Sequence, residues 1–207
     1  GFPKASMEAA IARGQGKSAT GIKLENITLE AIMPPNIAFI IDCETDSKQR
    51  TLMDLRFLVK KHGGIITPTN YLFDRKGKIV FEKNEKIRDI DDILDAAIEA
   101  GAEDVGAERD NDDNSIVVWT EPSNTFSTLQ ILQSNLNLKV IDSSIIWDAK
   151  KNTIAPLDNV EEAKVKCLLD LVEALDKNPD VQGVFANVAQ GSMPEDQWYQ
   201  LRSYLDA

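Results

Sequence analysis

Residues 14–18, Gly-Gln-Gly-Lys-Ser, have the composition of the end of a phosphate-binding loop. In such a loop, glycine amides and a lysine hold the phosphates of a nucleotide, and the pattern requires a glycine five residues before the second one. That position holds Ile11, and no apolar strand precedes it. The stretch is therefore predicted to be a flexible linker and not a nucleotide site.

A second stretch has oxygen ligands at most positions of a calcium-binding loop. Asp110, Asp112, Asn114 and Glu121 have the spacing of such ligands, and Glu121 stands at the last position. The sixth position holds Ser115 where a glycine is needed, and both flanks favour strands over helices. We interpret the stretch as a solvent-exposed turn, and we predict no metal ion and no other cofactor.

The histidine and cysteine residues favour structural roles over catalysis. His62, the single histidine, stands at a predicted helix end, where the helix dipole favours a cation, so a capping role is predicted. Cys43 lies in an apolar strand and Cys167 in a helix with an apolar face, so both are predicted to be core residues. The chain has no Gly-x-Ser-x-Gly, Cys-x-x-Cys or His-Glu-x-x-His motif. We therefore predict that the chain is not an enzyme.

The remaining candidate chemistry is a set of cations that could bind phosphate groups. Arginine and lysine on a helix face or at a hairpin tip contact nucleic-acid phosphates without reading bases. The spacing of these residues is equally compatible with a solvated surface. The predicted nucleic-acid or ribosome contacts are Lys4, Arg13, Lys17, Lys23, Arg50, Arg56, Lys60, Lys61, Arg75 and Lys76.

Two predicted helices carry most of these cations. Apolar residues about one turn apart predict a short helix over 3–14. A longer helix is predicted to begin after Asp46 or Ser47, with an apolar stripe on one side and two glycines at its end. Arg56 and Lys60 are one turn apart in this helix and are expected to point in the same direction.

The rest of the chain alternates strands and helices. β-rich runs occupy 27–32 and 37–43, and residues 71–81 are predicted to form a hairpin with Gly77, Arg75 and Lys76 in its tip. The other predicted elements are helices at 90–100, 122–132, 160–175 and 195–205 and strands at 105–108, 116–119, 140–147 and 181–188.

This order predicts an α+β fold with two small α/β domains, one inserted in the other. Residues 23–83 and 157–207 would form a discontinuous domain of ferredoxin-like or split βαβ topology, and residues 84–156 would form the insertion. Short strands with helices on one face favour this arrangement over a doubly wound parallel sheet. Residues 1–22 would precede both domains as a helix and a linker.

Composition and charge narrow the class of protein. The chain has 207 residues, 43% hydrophobic and 28% charged, which is typical of a globular protein. No apolar run reaches the ~18 residues that a membrane-spanning helix needs. The net charge is −11, but residues 84–123 hold 13 acids and 3 bases, whereas residues 1–83 hold 9 acids and 13 bases. Such a chain could place its basic part on phosphate and keep its acidic part away.

Several spaced motifs together resemble the YebC family of bacterial and organellar proteins. They run in order along nearly the whole chain, and their combination is more specific than any one of them. The motifs are Pro3-Lys4 with residues 9–14, the D-S-K-Q-R-T of 46–51, Leu55-Arg56 with K-H-G-G at 61–64, Y-L-F with Lys76-Gly77, E-A-G-A-E-D at 99–104 and D-V-Q at 180–182.

The resemblance implies an N-terminal helical domain followed by two α/β domains, one inserted in the other. Residues 1–22 would then be the remnant of the helical domain with a linker, and the basic G-H-S-K-W segment of the family is absent. Residues 29–36 replace a glycine-rich loop of the family, and Phe57 stands where the family has the histidine of an Arg-His pair. These departures are more typical of an organellar member than of a bacterial one.

The resemblance implies two alternative functions. The main hypothesis is a mitochondrial translation factor in the matrix that associates with the mitochondrial ribosome, its rRNA or an mRNA, as described for translational activators of cytochrome c oxidase subunit I. The alternative is a sequence-specific DNA-binding transcriptional regulator in a bacterial cytoplasm. Neither hypothesis includes a small-molecule substrate.

Overall fold

The computed structural model describes residues 21–84, 87, 89–107 and 115–206, together with positions 7, 11, 12, 14, 16 and 17. The chain divides into two compact units, which are residues 1–73 with 149–207 (the split unit) and residues 74–148 (the inserted unit). The sequence predicts these two divisions after residues 83 and 156, whereas the structure has them after residues 73 and 148. Most of the predicted helix at 3–14 lies outside the described residues.

The described elements alternate between strands and helices, as the sequence predicts for an α+β fold. In chain order they are β1 (Glu25–Met33), β2 (Ile37–Thr45), α1 (Lys48–Lys61), β3 (Ile65–Ile66), β4 (Phe73–Glu82), α2 (Asp91–Glu99), β5 (Ala102–Gly106), β6 (Ser115–Thr120), α3 (Thr125–Leu136), β7 (Lys139–Ala149), β8 (Ala155–Pro156), α4 (Glu162–Asp176), β9 (Val181–Ala186), β10 (Val188–Ala189) and α5 (Glu195–Arg202).

The split unit is built on a four-stranded sheet in the order β3-β1-β2-β9, and its neighbouring strands pair antiparallel. Side chains alternate between the two faces of a strand, so alternate residues such as Phe39 and Ile41 share one face. Both belong to the same buried cluster as Leu55 of α1 and Leu168 of α4. The buried side of α1 is therefore fixed by its packing in this core.

The inserted unit has a second four-stranded sheet, in the order β5-β6-β4-β7. Its core contains Phe81 of β4, Val118 of β6, Ile93 of α2 and Leu132 of α3, all buried. Strand β6 lies between β5 and β4 and pairs antiparallel with both. The predicted strands around 105 and 116 are confirmed as this β5–β6 pair.

The predicted hairpin at 71–81 is wrong, because β4 is one continuous strand. Gly77 lies within this strand opposite Thr120, and the hydroxyl groups of Thr120 and Thr125 are 2.9 Å apart. A Cβ atom at position 77 would overlap both hydroxyl oxygens. The glycine therefore permits close packing and does not mark a turn. Because β4 pairs with β6, it belongs to the inserted unit, and the division between the units falls near residue 73.

The two connections of the split unit to the insertion lie side by side. The chain leaves at Leu72 and returns at Lys150, whose backbone N–H donates to the Leu72 oxygen at 3.0 Å. The hydroxyl of Thr153 donates to the same oxygen at 2.9 Å. Upstream, the Glu30 carboxylate accepts a hydrogen bond from the backbone N–H of Asn70 at 2.7 Å. The exit and the return are therefore held together at one place on the split unit.

The two cysteines differ in environment. Cys43 of β2 is a core residue, as predicted, and burial together with the nearby Asp42 and Asp180 raises the pKa of its thiol to about 12. Cys167 is exposed, so its predicted core position is wrong. The buried stripe of α4 includes Val165 and Leu168, and position 167 falls outside it.

Candidate nucleic-acid interface

Helix α1 is held at its N-terminus by a polar network that reaches Asp180, the residue before β9. The Asp180 carboxylate accepts hydrogen bonds from the Thr51 hydroxyl at 2.7 Å and the Arg50 guanidinium at 3.2 Å. Arg50 also binds Asp46 at 2.8 Å. Burial would raise the pKa of Asp180, but the hydrogen bonds from Thr51, Arg50 and Thr45 hold it below its usual value. The network orients α1 on the split unit.

The opposite side of α1 forms an exposed surface, which we call the α1 face. Thr51, Leu55 and Val59 are buried, whereas Met53 and Phe57 expose 67% and 66% of their surface. Positions three and four residues apart share one side of a helix. A shallow depression on this side is lined by Gln49, Leu52, Met53, Arg56, Phe57 and Lys60.

The cations of α1 fall into two groups. At the N-terminal end, Lys48 binds Glu25 at 2.7 Å and Arg50 binds two aspartates. Further along, Arg56, Lys60 and Lys61 are exposed and form no ion pair with any residue that the structure describes. The second group is therefore available to an external anion, whereas the first is already paired within the protein.

The other predicted cations do not join this helix. Arg75 and Lys76 lie in β4 of the inserted unit and not in a hairpin tip. The Lys76 Nζ atom is 2.8 Å from the Asp148 carboxylate, and this hydrogen bond raises the pKa of Lys76. The Arg75 guanidinium lies 5.5 Å from the centre of the Trp147 ring. Both cations have internal partners, so they are poor candidates for phosphate contacts.

The N-terminal cations are described only in part. The backbones of Lys17 and Lys23 pair as an isolated antiparallel bridge, and both residues are exposed. Lys4 and Arg13 lie outside the described residues. The structure thus brings Lys17 and Lys23 together, and both precede the α1 cations in the sequence.

Comparison with known proteins identifies the family. Residues 24–188 match the family profile described as the TACO1/YebC second and third domain. The chain belongs to the TACO1/YebC family. Similar relatives are named probable transcriptional regulatory protein, among them those of Syntrophus aciditrophicus and Nitrosococcus oceani, which are 33% and 36% identical to this chain over 189 residues. Each alignment covers 90% of this chain and 71% of the relative.

A solved structure shares the fold of this TACO1/YebC-family chain. The crystal structure of a conserved hypothetical protein from Aquifex aeolicus matches with a TM-score of 0.68 and 28% sequence identity. The match covers 93% of this chain and 74% of the other. The family resemblance and the α+β fold predicted from the sequence are both confirmed.

The end of α1 is built as the sequence predicts for a TACO1/YebC-family K-H-G-G segment. His62 ends the helix, and its Nδ1 atom is 2.9 Å from the Leu58 carbonyl oxygen. Lys60 and Lys61 occupy the last turn, where the negative end of the helix dipole favours cations. Gly64 follows, and a Cβ atom there would overlap Val59. The same tight ending that stops the helix therefore also places two lysines at the surface.

Sequence reasoning missed the apolar part of the interface in this TACO1/YebC-family chain. The family resemblance marks Phe57 only as a replacement of a histidine, and it gives no role to Met53. A signal was present, because Leu55 and Val59 define the buried stripe and Phe57 falls outside it. An aromatic residue outside the buried stripe of an amphipathic helix indicates an exposed ring.

The described part of this TACO1/YebC-family chain offers no metal-binding cluster and no membrane-spanning helix. No three His, Cys, Asp or Glu side chains there are arranged to hold a metal ion. No helix in the same part is long and apolar enough to cross a membrane. Asp110, Asp112 and Asn114 of the calcium-like stretch, and most of residues 14–18, lie outside the described residues.

Proposed function

We propose that this chain is a regulator of gene expression that binds nucleic acid through the α1 face. The observation that carries the proposal is the row of exposed cations, Arg56, Lys60 and Lys61, without ion-pair partners in the described part of the chain. The names of the relatives, probable transcriptional regulatory protein, support a regulatory role.

The charges of the two units support binding by the split unit. The split unit has 17 acids and 15 bases, a net charge of −2, and the inserted unit has 17 acids and 8 bases, a net charge of −9. The phosphate backbone repels the inserted unit and is attracted locally to the basic end of α1. Three phosphate contacts would give a salt dependence of affinity with a log–log slope of about −2 to −3.

One form of this function is sequence-specific regulation of transcription on DNA. The names of the relatives favour this form. It requires that the protein distinguishes a target duplex from competitor DNA at physiological salt. Equal affinity for target and scrambled duplexes would reject this form and leave phosphate binding intact.

A second form is a translation factor that contacts ribosomal RNA or mRNA, in the mitochondrial matrix or in a bacterial cytoplasm. One feature of α1 favours it. A helix that reads the major groove uses its N-terminal residues to contact base edges. In α1 the N-terminal cations Lys48 and Arg50 bind carboxylates of the protein. The C-terminal cations that stay exposed are suited to phosphates of a structured RNA.

The proposal is tested by reversing the charges of Arg56, Lys60 and Lys61 with glutamate. The matched control replaces Lys164 and Lys166 of α4 and Lys177 at its C-terminal cap with glutamate, which makes the same change in net charge. Binding to labelled DNA and RNA and co-sedimentation with ribosomes are measured over a salt series, and circular dichroism checks folding. We expect the α1 variant to lose association and the α4 variant to keep it. Equal association of both variants would contradict the proposal.

A further inference from the structure

The α1 face combines an exposed aromatic ring with exposed cations. Phe57 exposes 66% of its surface, and Met53, one turn earlier, exposes 67%. Arg56 and Lys60 lie on the same side of the helix and line the same depression. The cations can contact phosphate groups, and the ring beside them offers a flat apolar surface on which a flat partner group can stack.

We propose that the α1 face binds single-stranded nucleic acid, with an unpaired base stacked on the Phe57 ring and phosphates held by Arg56 and Lys60. The inference rests on the proposed function and specifies the class of nucleic acid. Aromatic side chains in a positively charged groove are the usual means of binding single strands, because every base has a π-face. In a duplex these faces are covered by neighbouring bases, so the ring would have no base to stack on.

The composition of the depression supports an anionic partner. Its lining residues include two cations and no acid, and the acid of α1, Asp54, is not among them. The base would stack on the Phe57 ring, and the phosphates on either side of it would bind Arg56 and Lys60. Met53 extends the apolar surface beside Phe57 and is positioned to contact a second base or a sugar.

The experiment measures fluorescence anisotropy of labelled oligonucleotides of about 12 residues, with single-stranded RNA, single-stranded DNA and the matching duplexes as separate arms. The proteins are the 207-residue chain and its variants Phe57→Ala, Phe57→Leu and Phe57→Trp. We expect Phe57→Ala to weaken binding of single strands about five- to 100-fold, as loss of one stacked base does. Phe57→Leu should weaken binding similarly, because it keeps an apolar side chain but has no ring. Phe57→Trp should bind at least as well as the parent, and its added indole fluorescence should be quenched by the oligonucleotide.

A matched control is Phe126→Ala. Phe126 of α3 is as exposed as Phe57, at 69%, but its helix carries no charged residue. We expect this variant to bind every oligonucleotide as the parent does. The RNA and DNA arms show which sugar the face prefers, and a preference for either keeps the proposal.

The outcomes separate this inference from the proposed function. If the charge reversals at Arg56, Lys60 and Lys61 abolish binding but Phe57→Ala does not weaken binding of single strands, stacking is wrong and phosphate binding stands. Tighter binding of duplexes than of single strands by the parent chain overturns the single-strand proposal. If the parent chain binds no oligonucleotide in any arm, both proposals fail. Binding of single strands that survives the charge reversals but not Phe57→Ala would overturn the proposed role of the cations, and with it the phosphate contacts of this inference.

Discussion

The split unit and the inserted unit each have a four-stranded sheet and helices, but they use charge differently. In the split unit, acids and bases are nearly balanced, and several charged groups bind each other, as Asp180 does with Arg50. In the inserted unit, acids outnumber bases by 17 to 8, and Asp91, Asp95 and Glu99 are exposed on α2. Similar architectures therefore carry surfaces of different charge, and the fold alone does not set which partner each unit binds.

The same contrast appears at the level of single helices. Helix α1 of the split unit and α3 of the inserted unit each expose one phenylalanine, Phe57 and Phe126. Helix α1 has three cations without described partners, whereas α3 has no charged residue. The two rings therefore differ mainly in the charge around them, and this makes them a natural pair for comparison.

The largest expected effect tests whether the two units fold independently. Phe81 in the inserted unit and Phe39 in the split unit are both fully buried. Phe81→Ala should cost about 3–5 kcal/mol through lost burial and an unfilled cavity, and Phe39→Ala should cost a similar amount. Hydrogen exchange with mass spectrometry should show faster exchange in residues 74–148 for the first variant and in the other unit for the second. Equal acceleration of both units by either variant would show that the units unfold together.

An intermediate effect concerns the polar network of the split unit. Asp180→Ala leaves Arg50 and Thr51 without their shared acceptor and should cost about 1.5–3 kcal/mol in the free energy of unfolding. Because the folded pKa of Asp180 lies below its usual value, its contribution is complete above the ordinary aspartate pKa of ~4 and is lost as pH falls further. Urea unfolding of parent and variant between neutral and acid pH should therefore converge at low pH.

The network prediction has a conservative control. Asp180→Asn keeps one acceptor oxygen for Thr51 and removes the charge that faces Arg50, so its cost should be smaller than that of alanine. If Asp180→Ala were as stable as the parent at neutral pH, the network would orient α1 without stabilising the split unit.

The smallest effect concerns the ion pairs of the inserted unit. Lys76 and Asp148 are partly buried, whereas the Lys139–Glu82 pair exposes most of its lysine. A double-mutant cycle to alanine should give a coupling of up to about 1 kcal/mol for the first pair and close to zero for the second. Equal coupling in the two cycles would show that partial burial does not strengthen the pair. The Lys76 pair also bears on phosphate binding, because the sequence predicts Lys76 as a phosphate contact and the structure gives it an internal partner.

The sequence predicts those features that depend on neighbours along the chain. The α1 helix, its ending at His62 and the common direction of Arg56 and Lys60 follow from periodicity and from the two glycines. The ion pair of Arg50 with Asp46 can be predicted from the sequence, because the two residues are four positions apart at the start of a helix. The pair with Asp180 cannot be predicted, because only the folded structure places Asp180 near Arg50.

The failures have a common physical cause, which is contact with distant residues. Gly77 after charged residues is typical of a turn, yet the glycine is required by Thr120 and Thr125, which lie more than forty positions later. The predicted domain boundary after residue 83 differs from the observed division after residue 73 for the same reason, because β4 pairs with a strand of the insertion. The sequence predicts Cys167 on the buried side of α4, but the buried residue is its neighbour Leu168. Only the packing of the helix reveals this difference of one position.

The adjacent connections at Leu72 and Lys150 have a consequence for how such a chain can change. Two ends already joined by a hydrogen bond of 3.0 Å need only a short loop to bridge them, and closing a short loop costs little conformational entropy. In the inserted unit, the Lys76–Asp148 contact at 2.8 Å brings its own two ends together as well. At the junction, the two ends of each unit therefore lie close together, and we expect the insertion to tolerate excision, exchange or circular permutation while the split unit keeps its fold.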